Sequence, residues 1–433
     1  MALSPLCRER DAMPKAPVGG DRIPLKSDHN GQTRGTFTKP GVHRFFHKGR
    51  LSMIVSSRLR RWPSTVVVAV LALGLVSASD GGPATQSVDP DSQMIADIVA
   101  RKMKERDLTS AVYGVWRGDD LIAAGAAGDS PIGLPASPEM LVRIGQPMEP
   151  MLSTVLLQLD GEGVLSQDEP IAKWLPDFPR AAQITPRMLA SSTSGVSDYV
   201  TNPNFLKEFY ANPFTGFTAE QLLALANQRP PLFAPGTSFA YAHSDLVLLG
   251  EVLQRATGEP LADLLQERIL DPLAMRDSKV VLTSQISEPY LHAYTNERGV
   301  FEDSTFWNPT AFRHSGNMTT TVADVATWIR ALADGRLLTE EQHEAMMAPS
   351  TAGLAGLTDT KFFAYGVAHD GDWFFMNPAY AGYDGVAYYD TRTRTLVIAY
   401  VTLGPTSNAN TDNALSLGRE IATLLVPDRP PGV

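Results

Sequence analysis

The stretch "LVRIGQPMEPMLSTVLLQL", Leu141–Leu159, brings a β-like run to a glycine and then starts a strongly apolar helix. The start of such a helix presents unbonded backbone N–H groups and the positive end of the dipole, both of which favour a developing anion. Acyl-transfer enzymes often set their nucleophile at a junction like this. Here the two residues that could do chemistry are Gln146 and Glu149, three apart and therefore on one helical face. A carboxamide is not a nucleophile of that kind. A glutamate at this place has three uses: capping the free N–H groups of the first turn, taking a proton from water, or binding a cationic ligand. Pro147 and Pro150 suit the first turn, whose N–H groups have no intrahelical acceptor.

Other nucleophile signatures can be eliminated. No lysine has a serine three residues before it, so the chain holds no Ser-x-x-Lys. It holds no G-x-S-x-G elbow and no H-E-x-x-H helix either. Ser153 lies in the junction helix, but its i+3 neighbour is Leu156, and it reads as a structural hydroxyl. The single cysteine, Cys7, lies near the start of the chain, so no thiol nucleophile, disulfide or cysteine-bound zinc is expected in the body. His243, His292, His314, His343 and His369 show no ligand spacing, and neither a metal nor a cofactor is expected.

The elements that must position this junction follow from periodicity. "SQMIADIVARKMKERDL" has the spacing of an amphipathic helix, and "SAVYGVWRGDDLIAAGAAG" reads as a hairpin turning at Gly118-Asp119-Asp120. From residue 160 to about 310 the chain reads as helices and loops with many prolines and no hairpin. "TAEQLLALANQ", N-capped by Thr218, and "DLVLLGEVLQRATGEPLADLLQERIL" are its clearest helices. "TTTVADVATWIRALADGRLL" is another, capped near Thr321. After Lys361 the period returns to two: "KFFAYGVAH", "GVAYYD" and "TLVIAYVTL" read as strands, and "NALSLGREIATLL" closes as a helix. Strands from both chain ends with helices between them predict an α+β fold. That fold is an antiparallel sheet flanked by terminal helices, carrying an inserted helical domain, with a cleft where the two parts meet.

Charge divides the chain unevenly. Met1–Ser64 holds 13 Lys and Arg against 4 Asp and Glu, whereas the whole chain holds 37 against 47, so the remainder is strongly acidic. An acidic body lacks the cationic face that nucleic acid requires, and no nucleic-acid partner is expected. "RLRRWPSTVVVAVLALGLVSAS", Arg58–Ser79, has the basic start, short apolar run and small-residue end of a signal peptide. The expected organisation is a leader at 1–52, a signal peptide at 53–79 starting from Met53, a linker at 80–88 and a domain at 89–433. Within that domain, 89–160 and 311–433 form the α/β part and 161–310 the helical insertion. Location is expected to be secreted or extracytoplasmic, with membrane contact only through the signal segment where it stays uncleaved.

Several phrases carry a resemblance: "GEGVLSQDEPIAKWLPDFP", "ITPRMLASSTSGV", "FAPGTSFAYAHSDLVLLGEVLQRATGEPLADLLQERILDPLAM", "GNMTTTVADVATWIRALADGRLL" and "GYDGVAYYDTRTRTLVIAYVT". Together they resemble the serine β-lactamase and penicillin-binding-protein superfamily, in its class C, D-alanyl-D-alanine carboxypeptidase and esterase branch. The resemblance runs over roughly residues 90–425. It implies the β-lactamase/transpeptidase-like fold and three motif positions: a Ser-x-x-Lys on the first buried helix, a Tyr-x-Asn in the helical domain and a His- or Lys-led triplet on the edge strand. Gln146 stands at the serine position and Glu149 at the lysine position. Tyr241 is kept, with His243 in place of the asparagine, and Met376, Asn377 and Pro378 stand at the substrate-binding triplet. The acyl-serine chemistry of the family is thus expected to be missing, leaving a binding or regulatory protein of the cell envelope whose partner is a cell-wall peptide or a small molecule. The alternative is a hydrolase using Glu149 and Tyr241 with water. Trp373, Phe374, Phe375, Tyr380 and Tyr383 read either as lining of the cleft mouth or as core.

Overall fold

A computed structural model describes residues 90–432. The expected leader, signal peptide and linker lie outside the described residues. Along the chain, α1 (Pro90–Arg106) leads into the hairpin of β1 (Leu108–Arg117) and β2 (Asp120–Gly128). β3 (Val142–Arg143) and a 3-10 turn, Gln146–Met148, precede α2 (Glu149–Gly161). Then come α3 (Pro186–Ala190), α4 (Pro203–Ala211), α5 (Ala219–Ala226), α6 (His243–Thr257) and α7 (Leu261–Leu265). Short strands follow: β4 (Lys279–Val280), β5 (Tyr294–Thr295), β6 (Glu302–Asp303) and β7 (Met318–Thr320), then α8 (Val322–Ala333) and α9 (Glu340–Met347). The chain finishes with β8 (Lys361–Ala364), β9 (Val367–Asp370), β10 (Trp373–Met376), β11 (Ala379–Tyr380), β12 (Tyr383–Asp390), β13 (Thr395–Leu403) and α10 (Asn413–Leu425).

The main sheet runs β2-β1-β13-β12-β10-β9-β8, antiparallel at every pairing, with β11 folded back on β12. Strands from the two chain ends thus meet at β1 and β13, in the α+β arrangement read from the periodicity. Its central strands are buried on both faces. Leu396, Ile398 and Tyr400 of β13 enter the core shared with α2 and α8, while Val397, Ala399 and Val401 enter the one under α1 and α10. The alternation that predicts a strand here sorts side chains between two cores rather than between core and water.

Two features depart from the sequence reading. "KFFAYGVAH" is not one strand but the hairpin β8–β9, turning at Tyr365 and Gly366 with φ of 49° and 86°. A turn with positive φ at both central residues reverses antiparallel strands tightly, and a tyrosine does not announce it. The segment 161–310 is not purely helical: β4 joins β3 and β7 in a small sheet, and β5 pairs with β6 as a hairpin. Strands of two residues are too short to show a period.

His369 on β9 gives the sheet a sensitivity to acid. The ring is stacked on Phe362 at 4.2 Å between centroids, its Nε2 has no hydrogen-bond partner, and burial pulls its pKa down to about 4. The unfolded chain takes up a proton below the ordinary histidine value of 6.5, which the folded chain refuses until about 4. The contribution of His369 to stability is therefore expected to fall by about 3 kcal/mol as pH drops across that window. Urea unfolding of His369→Phe at pH 4 to 7 checks this; a variant that loses stability as steeply as the parent would assign the fall to other groups.

Candidate functional site

Two contacts hold the junction in place. Trp328 on α8 donates its indole N–H to Pro147 O at 2.9 Å, tying α8 to the 3-10 turn. Gly145 sits at φ 62° and ψ −136°, a region open essentially to glycine, and a Cβ there would stand 2.4 Å from Pro378 Cβ. The expected cost of Gly145→Ala is about 3 kcal/mol, combining backbone strain with overpacking. A lower urea midpoint at unchanged slope would report it. A shift worth less than about 1 kcal/mol would mean that the Pro378 loop yields freely.

Gln146, Glu149, Tyr241, His243, Asn377 and Pro378 all line one cavity of about 420 Å³. Met376 does not. It is fully buried in the core at the end of β10, because successive residues of an extended segment point to opposite sides. The aromatic group divides likewise. Tyr380 and Tyr383 line the cavity, whereas Trp373, Phe374 and Phe375 pack within the sheet cores.

The carboxamide of Gln146 turns toward the edge strand, where its Oε1 accepts the backbone N–H of Asn377 at 2.9 Å. Glu149, one helical turn on, is 1% exposed. Its Oε1 accepts a hydrogen bond from the Tyr241 hydroxyl, and its Oε2 has no hydrogen-bond partner among the described residues. Burial pushes its pKa up to about 8, although the Tyr241 bond and the nearby His243 pull the other way, so the carboxyl is protonated at neutral pH. The β8–β9 turn closes over this helix start, with the Cβ position of Gly366 only 2.8 Å from Pro150 N.

Tyr241 and His243 flank the extended Ala242, and His243 opens α6. Their rings meet edge to face at 5.1 Å. His243 is held by Asp198: its Nδ1 lies 3.1 Å from Asp198 Oδ2, and its backbone N–H donates to Oδ1 at 3.1 Å. Asp198 also caps the short turn Tyr199–Thr201 through Val200 N–H, and it lines the cavity. Sequence reasoning missed this residue. Its only local signal is a carboxylate just before a turn, and its partner lies 45 positions away. The cavity's two aliphatic hydroxyls, on Thr201 and Ser315, each donate to a backbone carbonyl, of Asp198 and Phe312. Among the described residues no group of three or more His, Cys, Asp or Glu is placed to hold a metal ion. The arrangement can hold protons and hydrogen-bond a small ligand.

Residues 95–422 match the family model described as Beta-lactamase. Esterase EstB of Burkholderia gladioli is 31% identical over 188 residues, which are 40% of this chain and 48% of that protein. The putative penicillin-binding protein PbpX of Bacillus subtilis (strain 168) is 22% identical over 215 residues, 49% of this chain and 52% of that one. The chain thus spans about half the length of the curated relatives it matches. Among solved structures, a D-stereospecific amidohydrolase from Streptomyces sp. aligns with a TM-score of 0.66 at 25% identity, covering 76% of this chain and 97% of that one. The D-amino acid amidase of Ochrobactrum anthropi SV3, complexed with L-phenylalanine amide, aligns with a TM-score of 0.65 at 21% identity, covering 78% and 98%. That second likeness is one of fold. With the family model matched over most of its length and the sheet and helices in the arrangement of these neighbours, the chain belongs to the Beta-lactamase family.

Proposed function

We propose that this chain is an extracytoplasmic member of its family that binds a ligand in its cleft without forming an acyl-serine. The observation that carries the reading is Gln146. A carboxamide stands at the motif's nucleophile position and occupies the Asn377 N–H with its own oxygen. Loss of a nucleophile alone costs hydrolases about 10⁶-fold in turnover, so a remnant of family catalysis would be negligible. Glu149 strengthens the case, because a carboxyl replaces the basic partner and is protonated at neutral pH. The names of the relatives make esters, D-amino acid amides and cell-wall peptides the first ligands to try.

A second reading is favoured by one contact. The Tyr241–Glu149 hydrogen bond, with Glu149 near pKa 8, is the form a water-activating pair would take above that pH. Hydrolysis of p-nitrophenyl acetate by the purified chain, beside Glu149→Gln and Tyr241→Phe, separates the two. No rate above buffer and no acylated mass are expected in any of the three. A rate that climbs through pH 8 and disappears in Glu149→Gln would establish water activation instead. Location has its own check: the processed N-terminus of the exported chain should fall next to Ala78 or Ser79.

A further inference from the structure

The cavity combines aromatic walls with an excess of carboxyl groups. Phe312 sits 5.0 Å from the Tyr380 ring and 6.1 Å from Phe209, all three lining the space. Glu149, Asp198, Glu297 and Asp384 also line it, against Arg229 as the lining's one arginine or lysine. Three of these carboxyls are engaged: Asp198 with His243, Glu297 with the Thr295 hydroxyl at 3.0 Å, and Asp384 with Asn413 N–H at 2.6 Å. Arg229 turns to Thr201 Oγ1 at 2.5 Å. Among the described residues, the buried Oε2 of Glu149 has no hydrogen-bond partner. An unsatisfied buried polar atom is costly, and a bound ligand can supply the missing bond.

The geometry points to a small organic ammonium ion with an aromatic or branched apolar body as the ligand of this cavity, its N–H donated to Glu149 Oε2 and its body laid against Phe312 and Tyr380. This rests on the binding reading above and names the class of ligand. One effect favours it over a neutral isostere: an N–H donor that is charged makes a stronger bond to a carboxylate than a neutral donor does. A carboxylate ligand would meet four like charges or carboxyls.

Glu149 must ionise to form that pair, so binding releases its proton. The groups facing it are Tyr241 from the loop before α6, His243 from the start of α6 and Asp198 beside the Tyr199–Thr201 turn; the β8–β9 turn brings only Gly366. Affinity for an ammonium ion is therefore expected to rise about fiftyfold from pH 6 to pH 8, as Glu149 gives up its proton.

The test is calorimetric titration of the full chain with benzylammonium, benzyl alcohol and phenylacetate, three ligands of one shape and three charges. At pH 8 benzylammonium should bind at least tenfold tighter than benzyl alcohol. Glu149→Gln, nearly the same shape as the parent, should remove that margin. Phe312→Ala should weaken the cation and the alcohol alike. Equal affinity for the two ligands, an unchanged margin in Glu149→Gln or a preference for phenylacetate would each overturn the assignment. The outcome separates cleanly from the reading beneath it. An acylated mass after p-nitrophenyl acetate would remove the non-acylating role while leaving ammonium selectivity, and loss of that selectivity without acylation would remove only the ligand class.

Discussion

Glu149 should lower unfolding free energy by about 4–5 kcal/mol as pH rises from about 4.5 to about 8, a contribution that Glu149→Gln should remove. The sign follows from the proton. Burial raises the folded pKa of Glu149 from 4.5 to about 8, so within this window the folded chain holds a proton that the unfolded chain has released. Folding then takes up a proton. Its contribution is present in full below 4.5 and lost as pH climbs through the folded value. His369 runs the other way between about pH 4 and 6.5, so the two contributions largely offset each other there and the fall from Glu149 shows above that range. Glu149→Gln keeps the shape and the Tyr241 contact without the titration, so the parent's curve should drop more steeply than the variant's from pH 6 to 8. Urea midpoints across that range decide it. Parallel parent and variant curves would show that Glu149 reaches water and ionises at its ordinary value.

Much of the frame was legible because its signals are local. Thr218 and Thr321 do cap α5 and α8, the first within a full capping box with Gln221, and the Gly118 turn closes the first hairpin. The long strands β12 and β13 show their period because each alternate residue has a core of its own to enter. What stayed hidden depends on partners far along the chain. The Tyr365–Gly366 turn lies close against the start of α2, and its glycine is its one ordinary turn residue. Asp198 is invisible until α6 brings His243 to it, and the bond between Gln146 and Asn377 joins residues 231 apart. Met376 shows the limit of carrying a motif by alignment, since one position along an extended segment separates cavity from core. Gln146, Glu149, Tyr241 and His243 could be named from spacing and resemblance. Their protonation and hydrogen bonds could not.

Gln146→Ser alone is expected to make the cleft acylate, where the parent gives no adduct at any pH. The change sets a hydroxyl at the head of the 3-10 turn and frees the Asn377 N–H from the carboxamide that now occupies it. Glu149 lies three residues on, on the same face, and becomes a carboxylate above about pH 8. The serine oxygen would attack the ester carbonyl carbon, its proton passing to Glu149, the Asn377 N–H receiving the developing oxyanion and p-nitrophenolate leaving. Below pH 8 the rate should rise tenfold per pH unit, following the fraction of ionised Glu149, and above it the rate should level off. Adding Glu149→Gln should slow acylation by roughly 10²–10⁴-fold, the usual contribution of a positioned base. Intact mass after reaction with p-nitrophenyl acetate at pH 6, 7, 8 and 9 reads every part of this. An adduct confined to the alkaline samples would mean that the cleft still holds the oxyanion amide and the base position, lacking only the nucleophile. A serine that stays unmodified at pH 9 would mean the loss goes deeper than Gln146, into the positioning of the edge strand itself.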